Sequence, residues 1–358
     1  MDFKRILVFR IGHLGDTLVS LPAFWAIRKS FPNSHLTLLS NVDANNPEYV
    51  LARSVLPENG LFDDWLNYPF SHNKIQSLQG LTRLLLKLKF NKYDAVVYLM
   101  TRNRLETQIK RDINFFRLAG IKQIFGAEYL RNNLLDKNAI RPLLNVEPES
   151  EFLLKCLTEE KLLQINDLQL NAEMKLSVAE TEFADNWLKN NCDLSKKFIA
   201  IAPASKWESK VWAEERFAEV AEKLIAERNI FPIIFGGKEE REKGERLIKH
   251  WGMGANAAGE LNIRQAAAAL QKCSLYVGND TGTMHLAASV GTKCVAVFAA
   301  IDFPNRWIPY GKGHIVFRET VECEGCYAEN CFNNRKCLDL VSAEKVYNSC
   351  IKILDDER

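Results

Sequence analysis

The chain has 358 residues, 47% of them hydrophobic and 26% charged, with a formal net charge of +2. That is the composition of a globular protein longer than one hydrophobic core usually sustains, so two domains are expected. The near-neutral balance gives no overall reason to expect nucleic acid as a partner, and the N-terminal apolar run is cut by Arg10 and Asp16 before it reaches signal-peptide length, which points to a cytoplasmic protein.

In the first half, apolar β-rich runs at Arg5–Arg10, His35–Leu39, Tyr93–Leu99 and Ile121–Phe125 alternate with helical patterns at Leu18–Ser30, Ile75–Lys89 and Leu105–Ala119. Alternation of this kind predicts βαβ units and a parallel sheet. Ala44–Asn73, rich in Asn, Pro and Asp, reads as loops and short pieces. After a helical stretch at Glu151–Gln164 the pattern restarts. Strands are predicted at Phe198–Pro203, Ile230–Phe235, Leu275–Val277 and Cys294–Phe298, with helices at Ala213–Arg228, Glu239–His250 and Ile263–Gln271. The fold class is therefore α/β with two doubly wound domains. The boundary falls between Asp167 and Ala179, giving domains 1–172 and 173–340 and a terminal helix, 341–358. In open sheets of this type ligands bind beyond the carboxyl ends of the strands, so a cleft between the two domains is the expected site.

Four loops that follow predicted strands carry chemically useful side chains. In Arg10-Ile-Gly-His-Leu-Gly-Asp-Thr17, Gly12 and Gly15 permit a tight strand-to-helix turn, and Asp16 fits either a helix cap or a general base. In Val277-Gly-Asn-Asp-Thr-Gly-Thr-Met-His-Leu-Ala287, Asp280, Thr281 and Gly282 open a helix whose N-terminal amides suit a phosphate, with Thr283 and His285 as further donors. In Ser205-Lys-Trp-Glu-Ser-Lys-Val-Trp212, Lys206 and Lys210 could face a diphosphate, with the tryptophans as pocket wall or as packing beneath a solvated loop. In Phe235-Gly-Gly-Lys-Glu-Glu240, Glu239 or Glu240 fits a ribose contact or an acidic first turn of a helix.

Taken together the four loops resemble glycosyltransferase family 9, the ADP-heptose:lipopolysaccharide heptosyltransferases, in order and spacing. The resemblance implies a GT-B fold, with two Rossmann-like domains facing across a cleft, the acceptor on the first and the nucleotide sugar on the second, and a terminal helix returning toward the first. It implies an inverting transfer of heptose from ADP-heptose to a lipopolysaccharide core acceptor, lipid A-Kdo or inner-core heptose, with Asp16 as general base and no required cofactor. Ser205, Lys210, Glu240, Asp280, Thr281, Gly282 and His285 fall on donor-binding positions, and Gly12 and Gly15 shape the loop that presents Asp16. The alternatives are a transferase of the same fold using another nucleotide sugar or a protein acceptor, and a nucleotide-sugar-binding scaffold without turnover.

Two further features bear on partners. Between Arg102 and Arg117, five cations face two acids, a surplus of three, and Arg102 and Arg104 lie where a phosphorylated glycan acceptor could meet them. Such an acceptor is lipid-linked, so peripheral contact with the cytoplasmic face of the inner membrane is expected. Cys323-x2-Cys326-x4-Cys331-x5-Cys337 has enough thiols for a structural zinc or iron site, against simple packing of buried cysteines.

Overall fold

The computed structural model describes residues 2–43, 49–70, 74–164 and 173–356. The chain divides into two compact units, Met1–Lys137 with Glu149–Ala172, and Asn138–Pro148 with Glu173–Arg358. The expected boundary segment lies partly outside the described residues.

The first unit runs β1 (Arg5–Phe9), α1 (Leu14–Leu18), α2 (Leu21–Ser30), β2 (His35–Asp43), α3 (Ala52–Val55), β3 (Asp64–Phe70), α4 (Lys74–Asn91), β4 (Ala95–Tyr98), α5 (Glu106–Leu118), β5 (Gln123–Phe125), α6 (Ala127–Asn132) and α7 (Glu149–Glu159). Among the described residues its strands form a parallel sheet in the order β3-β2-β1-β4-β5. Ile6, Leu7, Val8 and Phe9 are buried on both faces, as a central parallel strand requires. Strand order reverses between β1 and β4, which places the loops after both at the switch point where such sheets bind ligands.

Two expectations change here. The helix read from Leu18 to Ser30 starts at Leu21, because Pro22 lacks an amide donor and fits only the first turn of a helix, and Leu18 instead ends the separate short helix α1. The stretch read as loops contains β3, whose Pro69 is tolerated because β3 lies at the sheet edge. Residues 44–48 and 71–73 of that stretch lie outside the described residues.

The second unit runs α8 (Val178–Asn191), β6 (Lys197–Ala202), α9 (Glu214–Arg228), β7 (Ile230–Ile234), α10 (Arg241–Trp251), β8 (Ala255–Asn256), α11 (Ile263–Gln271), β9 (Leu275–Asn279), α12 (Gly282–Ser289), β10 (Cys294–Phe298), β11 (Ile315–Arg318), α13 (Lys336–Asp339) and α14 (Ala343–Asp356). Its parallel sheet has the order β11-β10-β9-β6-β7-β8, so the reversal falls between β6 and β9. The segment Asn138–Pro148, assigned to the first domain from sequence, belongs to this unit: Leu143 N–H donates to Glu324 Oε1 at 2.6 Å and Val146 N–H to the Pro304 carbonyl at 3.2 Å. The terminal helix, expected to pack toward the first domain, buries Val346, Cys350, Ile353 and Leu354 in the core of the second, beside α9.

Candidate functional site

In the first unit the turn after β1 is held by charge and by close packing. Arg10 is buried and donates from Nη1 to the Leu99 carbonyl at 2.9 Å, and from Nε and Nη2 to the Asp16 carbonyl at 3.1 and 2.8 Å. Its Nη2 also lies 3.3 Å from Asp16 Oδ1. The other carboxylate oxygen, Oδ2, accepts from the His13 amide at 2.8 Å, so Asp16 caps its own helix from the third position. A Cβ at Gly12 would stand 2.3 Å from Asp16 Cβ and 2.7 Å from Oδ2, which explains a glycine there by contact. Two residues that sequence reasoning missed brace this turn. Asn41 accepts from the Gly12 amide at 2.9 Å and donates to the Tyr49 hydroxyl at 2.6 Å, and that hydroxyl donates to the Gly12 carbonyl. Gly15 sits inside α1.

In the second unit the loops after β6 and β9 meet at the switch point. Lys210 Nζ lies 2.6 Å from Asp280 Oδ2 and 5.5 Å above the Trp207 ring. Asn279, wholly buried at the end of β9, accepts from the Trp212 amide at 3.0 Å and donates to the Ala204 carbonyl at 3.3 Å, which joins the two loops. Sequence reasoning passed over Asn279, although it adjoins Asp280 in the motif. Trp212 is core, with its ring edge-on to Phe217, so it packs beneath the loop and does not line a pocket. Thr281, Gly282 and Ser205 are partly exposed, whereas His285 is buried in the second turn of α12. Among the described residues the N-cap of α12, Thr281, makes no side-chain capping bond, and its hydroxyl lies 3.5 Å from that of Tyr276. The amides at the start of the helix form its positive pole and receive no bond from the Thr281 side chain.

After β7, Glu239 is exposed and Glu240 is half-buried. Glu240 Oε2 accepts from the Gly237 amide. Burial pushes the Glu240 carboxyl up from its usual range and Glu239 adds to the rise, while the Gly237 amide and Lys243 act in the opposite sense. Of the two acids offered by the sequence, Glu240 is the one that is partly buried. After β10, a further cluster not foreseen from sequence centres on Asp302, which accepts from Arg306 at 3.0 Å, the Trp307 indole at 2.8 Å and the Tyr327 hydroxyl at 2.8 Å.

Arg102 and Arg104 lie in the first unit and are paired. Arg102 is buried against Glu149, with Nε 3.1 Å from Oε2, and its guanidinium stacks 4.5 Å from the Phe152 ring centre. Arg104 pairs with the buried Asp112 and donates to the Tyr98 hydroxyl at 3.1 Å. Both guanidiniums pair with internal carboxylates; removing one partner of a buried pair of this kind costs about 3–5 kcal/mol.

Cys323, Cys326, Cys331 and Cys337 line one small cavity. Nitrogen donors approach three of these sulfurs: Ala300 to Cys337 at 3.4 Å, Arg335 to Cys331 at 3.1 Å, and the Asn333 side chain to Cys323 at 3.4 Å. Among the described residues no group of three or more His, Cys, Asp or Glu side chains is placed to hold a metal ion. The segment the thiols build braces the Lys210 loop. Ser209 N–H donates to the Glu329 carbonyl at 3.1 Å, and Cys331 N–H to Glu208 Oε2 at 2.9 Å.

The profile of glycosyltransferase family 9 (heptosyltransferase) matches residues 152–336, more than half of the chain. The chain belongs to glycosyltransferase family 9. It is thus a glycosyltransferase, and the matched span contains Lys210, Glu240 and Asp280 while Asp16 lies outside it. The family 9 chain is 25% identical to the lipopolysaccharide core heptosyltransferase OpsX of Haemophilus influenzae, over 86% of this chain and 82% of that one. Its fold matches a family 9 glycosyl transferase from Veillonella parvula (TM-score 0.76, 20% identity, covering 99% and 98% of the two chains). It also matches Escherichia coli ADP-heptose lps heptosyltransferase II (TM-score 0.69, 18% identity, 99% of each chain). The fold class is GT-B, as the loop resemblance implied. Among the described residues no helix is long and apolar enough to cross a membrane.

Proposed function

We propose that this family 9 enzyme transfers heptose from ADP-heptose to a lipopolysaccharide core acceptor, lipid A-Kdo or inner-core heptose, with inversion at the anomeric carbon. The observation that carries the reading is the head of β9, where an uncapped helix N-terminus stands beside the Lys210 ammonium. Fixed amides and one cation offset a diphosphate without a metal, because their dipoles are already oriented before charge develops on the leaving group. The Asp16 carboxylate takes the proton from the acceptor hydroxyl, whose oxygen attacks the anomeric carbon as the bond to the β-phosphate oxygen breaks. Thr281, Gly282 and Lys210 receive the departing ADP, Ser205 and His285 complete the donor loops, and Glu240 accepts from ribose hydroxyls. The acceptor is lipid-borne, so peripheral contact with the cytoplasmic face of the inner membrane belongs to the same reading.

A donor screen by calorimetry tests it. ADP-heptose is expected to bind at least tenfold more tightly than UDP- or GDP-sugars. Preference for a uridine or guanosine donor would replace this reading with a transferase of the same fold and different donor.

A further inference from the structure

Helix α4 is apolar on two faces. Leu84 and Leu88 are buried, as expected of a crossover helix packed on the sheet. On the other side Leu78, Leu86 and Phe90 are 67%, 62% and 86% exposed, and Ile75 joins them near the start. Leu78, Thr82, Leu86 and Phe90 recur every four residues, so they form one slowly turning stripe. At about 100° per residue, Lys89 lies about 60° to one side of Leu86, and Arg83 and Lys87 about 60° and 100° to the other. All three cations are exposed, and the helix contains no Asp or Glu.

We infer that this outward face of α4 seats the enzyme on an anionic bilayer surface. Large apolar side chains in water on a helix already supplied with a buried face call for a cover, and the charge pattern selects which. Cations on long stems flanking an apolar stripe reach lipid phosphates while the stripe enters the headgroup boundary. A second copy of the same helix would instead oppose like charges. The inference deepens the proposed lipid-borne acceptor by naming the surface that approaches it, and rests on that reading for the identity of the membrane; its test is separate from donor binding.

Sedimentation with phosphatidylcholine vesicles, with and without 30% phosphatidylglycerol, reads the contact directly. The protein is expected to bind the anionic vesicles, less so as salt rises. The triple variant Arg83→Gln, Lys87→Gln, Lys89→Gln is expected to lose on the order of 100-fold in partitioning, at about fivefold per cation. Leu78→Ser with Leu86→Ser and Phe90→Ser is expected to lose at least tenfold, with ADP affinity unchanged in both. Phe90→Trp supplies a readout that needs no loss of fold: its emission moves to shorter wavelength on anionic vesicles. Unchanged emission, or triple variants that sediment like the parent, overturns the inference and leaves the donor assignment standing. A dimer in light scattering that Leu86→Ser and Phe90→Ser abolish also overturns it, by giving the face to a second copy.

Discussion

The turns at the heads of β1 and β9 are built alike, a strand running through a glycine-containing loop into a short helix, yet they differ in what fills the helix N-terminus. At α1 the Asp16 carboxylate takes the His13 amide, and Arg10 fixes the loop from below. An approaching phosphate would meet a negative group already in place. At α12 Thr281 caps nothing, and Asp280 turns aside to Lys210. An approaching phosphate there meets a helix N-terminus that its N-cap side chain leaves uncapped, and an ammonium that offsets Asp280. Glycine spacing alone does not make a phosphate loop; occupancy of the N-terminus decides, because the same backbone dipole serves either an internal carboxylate or an external anion.

The sharpest way to break this contrast is Asp16→Asn. Asparagine keeps an acceptor for the His13 amide, so the turn survives while the base is lost. Transfer is expected to fall about 10²- to 10⁴-fold, the usual worth of a positioned base, with ADP affinity unchanged. Turnover near that of the parent enzyme would reduce Asp16 to a capping residue. On the opposite side of the comparison, Lys210→Ala removes the ammonium and leaves Asp280 facing the phosphates alone. Calorimetry is expected to show ADP affinity lower by about 10- to 100-fold, the range of a hydrogen bond to a charged group. Unchanged affinity would move the diphosphate away from α12.

The difference between the turns was only half legible in the sequence. The apolar runs Ile6–Phe9 and Cys294–Phe298 and the helix Ile263–Gln271 stood out because burial on both faces, or a strong helical period, leaves a pattern. The edge strand β3, with Pro69 and few buried residues, leaves none. Helix α8 did carry a signal, the capping box of Ser177 and Glu180, but it buries only Ala184 and Leu188 and so lacks an apolar face that periodicity can detect. At the site, residue types and loop order pointed to Lys210 and Asp280, whereas their pairing across 70 positions is a product of the fold. The pairing of Arg102 with Glu149 and of Arg104 with Asp112 was hidden from a count of charges for the same reason.

Gly12→Ala sharpens the comparison from within the first turn. The added methyl would stand 2.3 Å from Asp16 Cβ, so the Asp16 side chain or the turn must shift. Overpacking of this kind costs about 1–3 kcal/mol, and thermal unfolding is expected to show it. Transfer should fall through displacement of Asp16, while ADP affinity holds because α12 is untouched. Equal losses of transfer and ADP affinity would mean that the two turns are not independent.

The smallest effect tests the proposed ribose contact at Glu240. Glu240 is raised by burial, so its folded form holds a proton more tightly than the unfolded chain, whose carboxyl titrates near 4.5. Below that pH both states are protonated and the group contributes no difference; as pH climbs through the raised value, the folded state must ionise a half-buried carboxyl and loses stability. Glu240→Gln imitates the protonated form. The variant should melt with the parent enzyme in acid and slightly above it at neutral pH, while ADP affinity falls about tenfold or less through loss of a charged acceptor for the ribose hydroxyls. A melting difference that is the same at every pH would mean that burial of the Glu240 charge is not its source, and the comparison would then rest on Lys210 and the α12 amides alone.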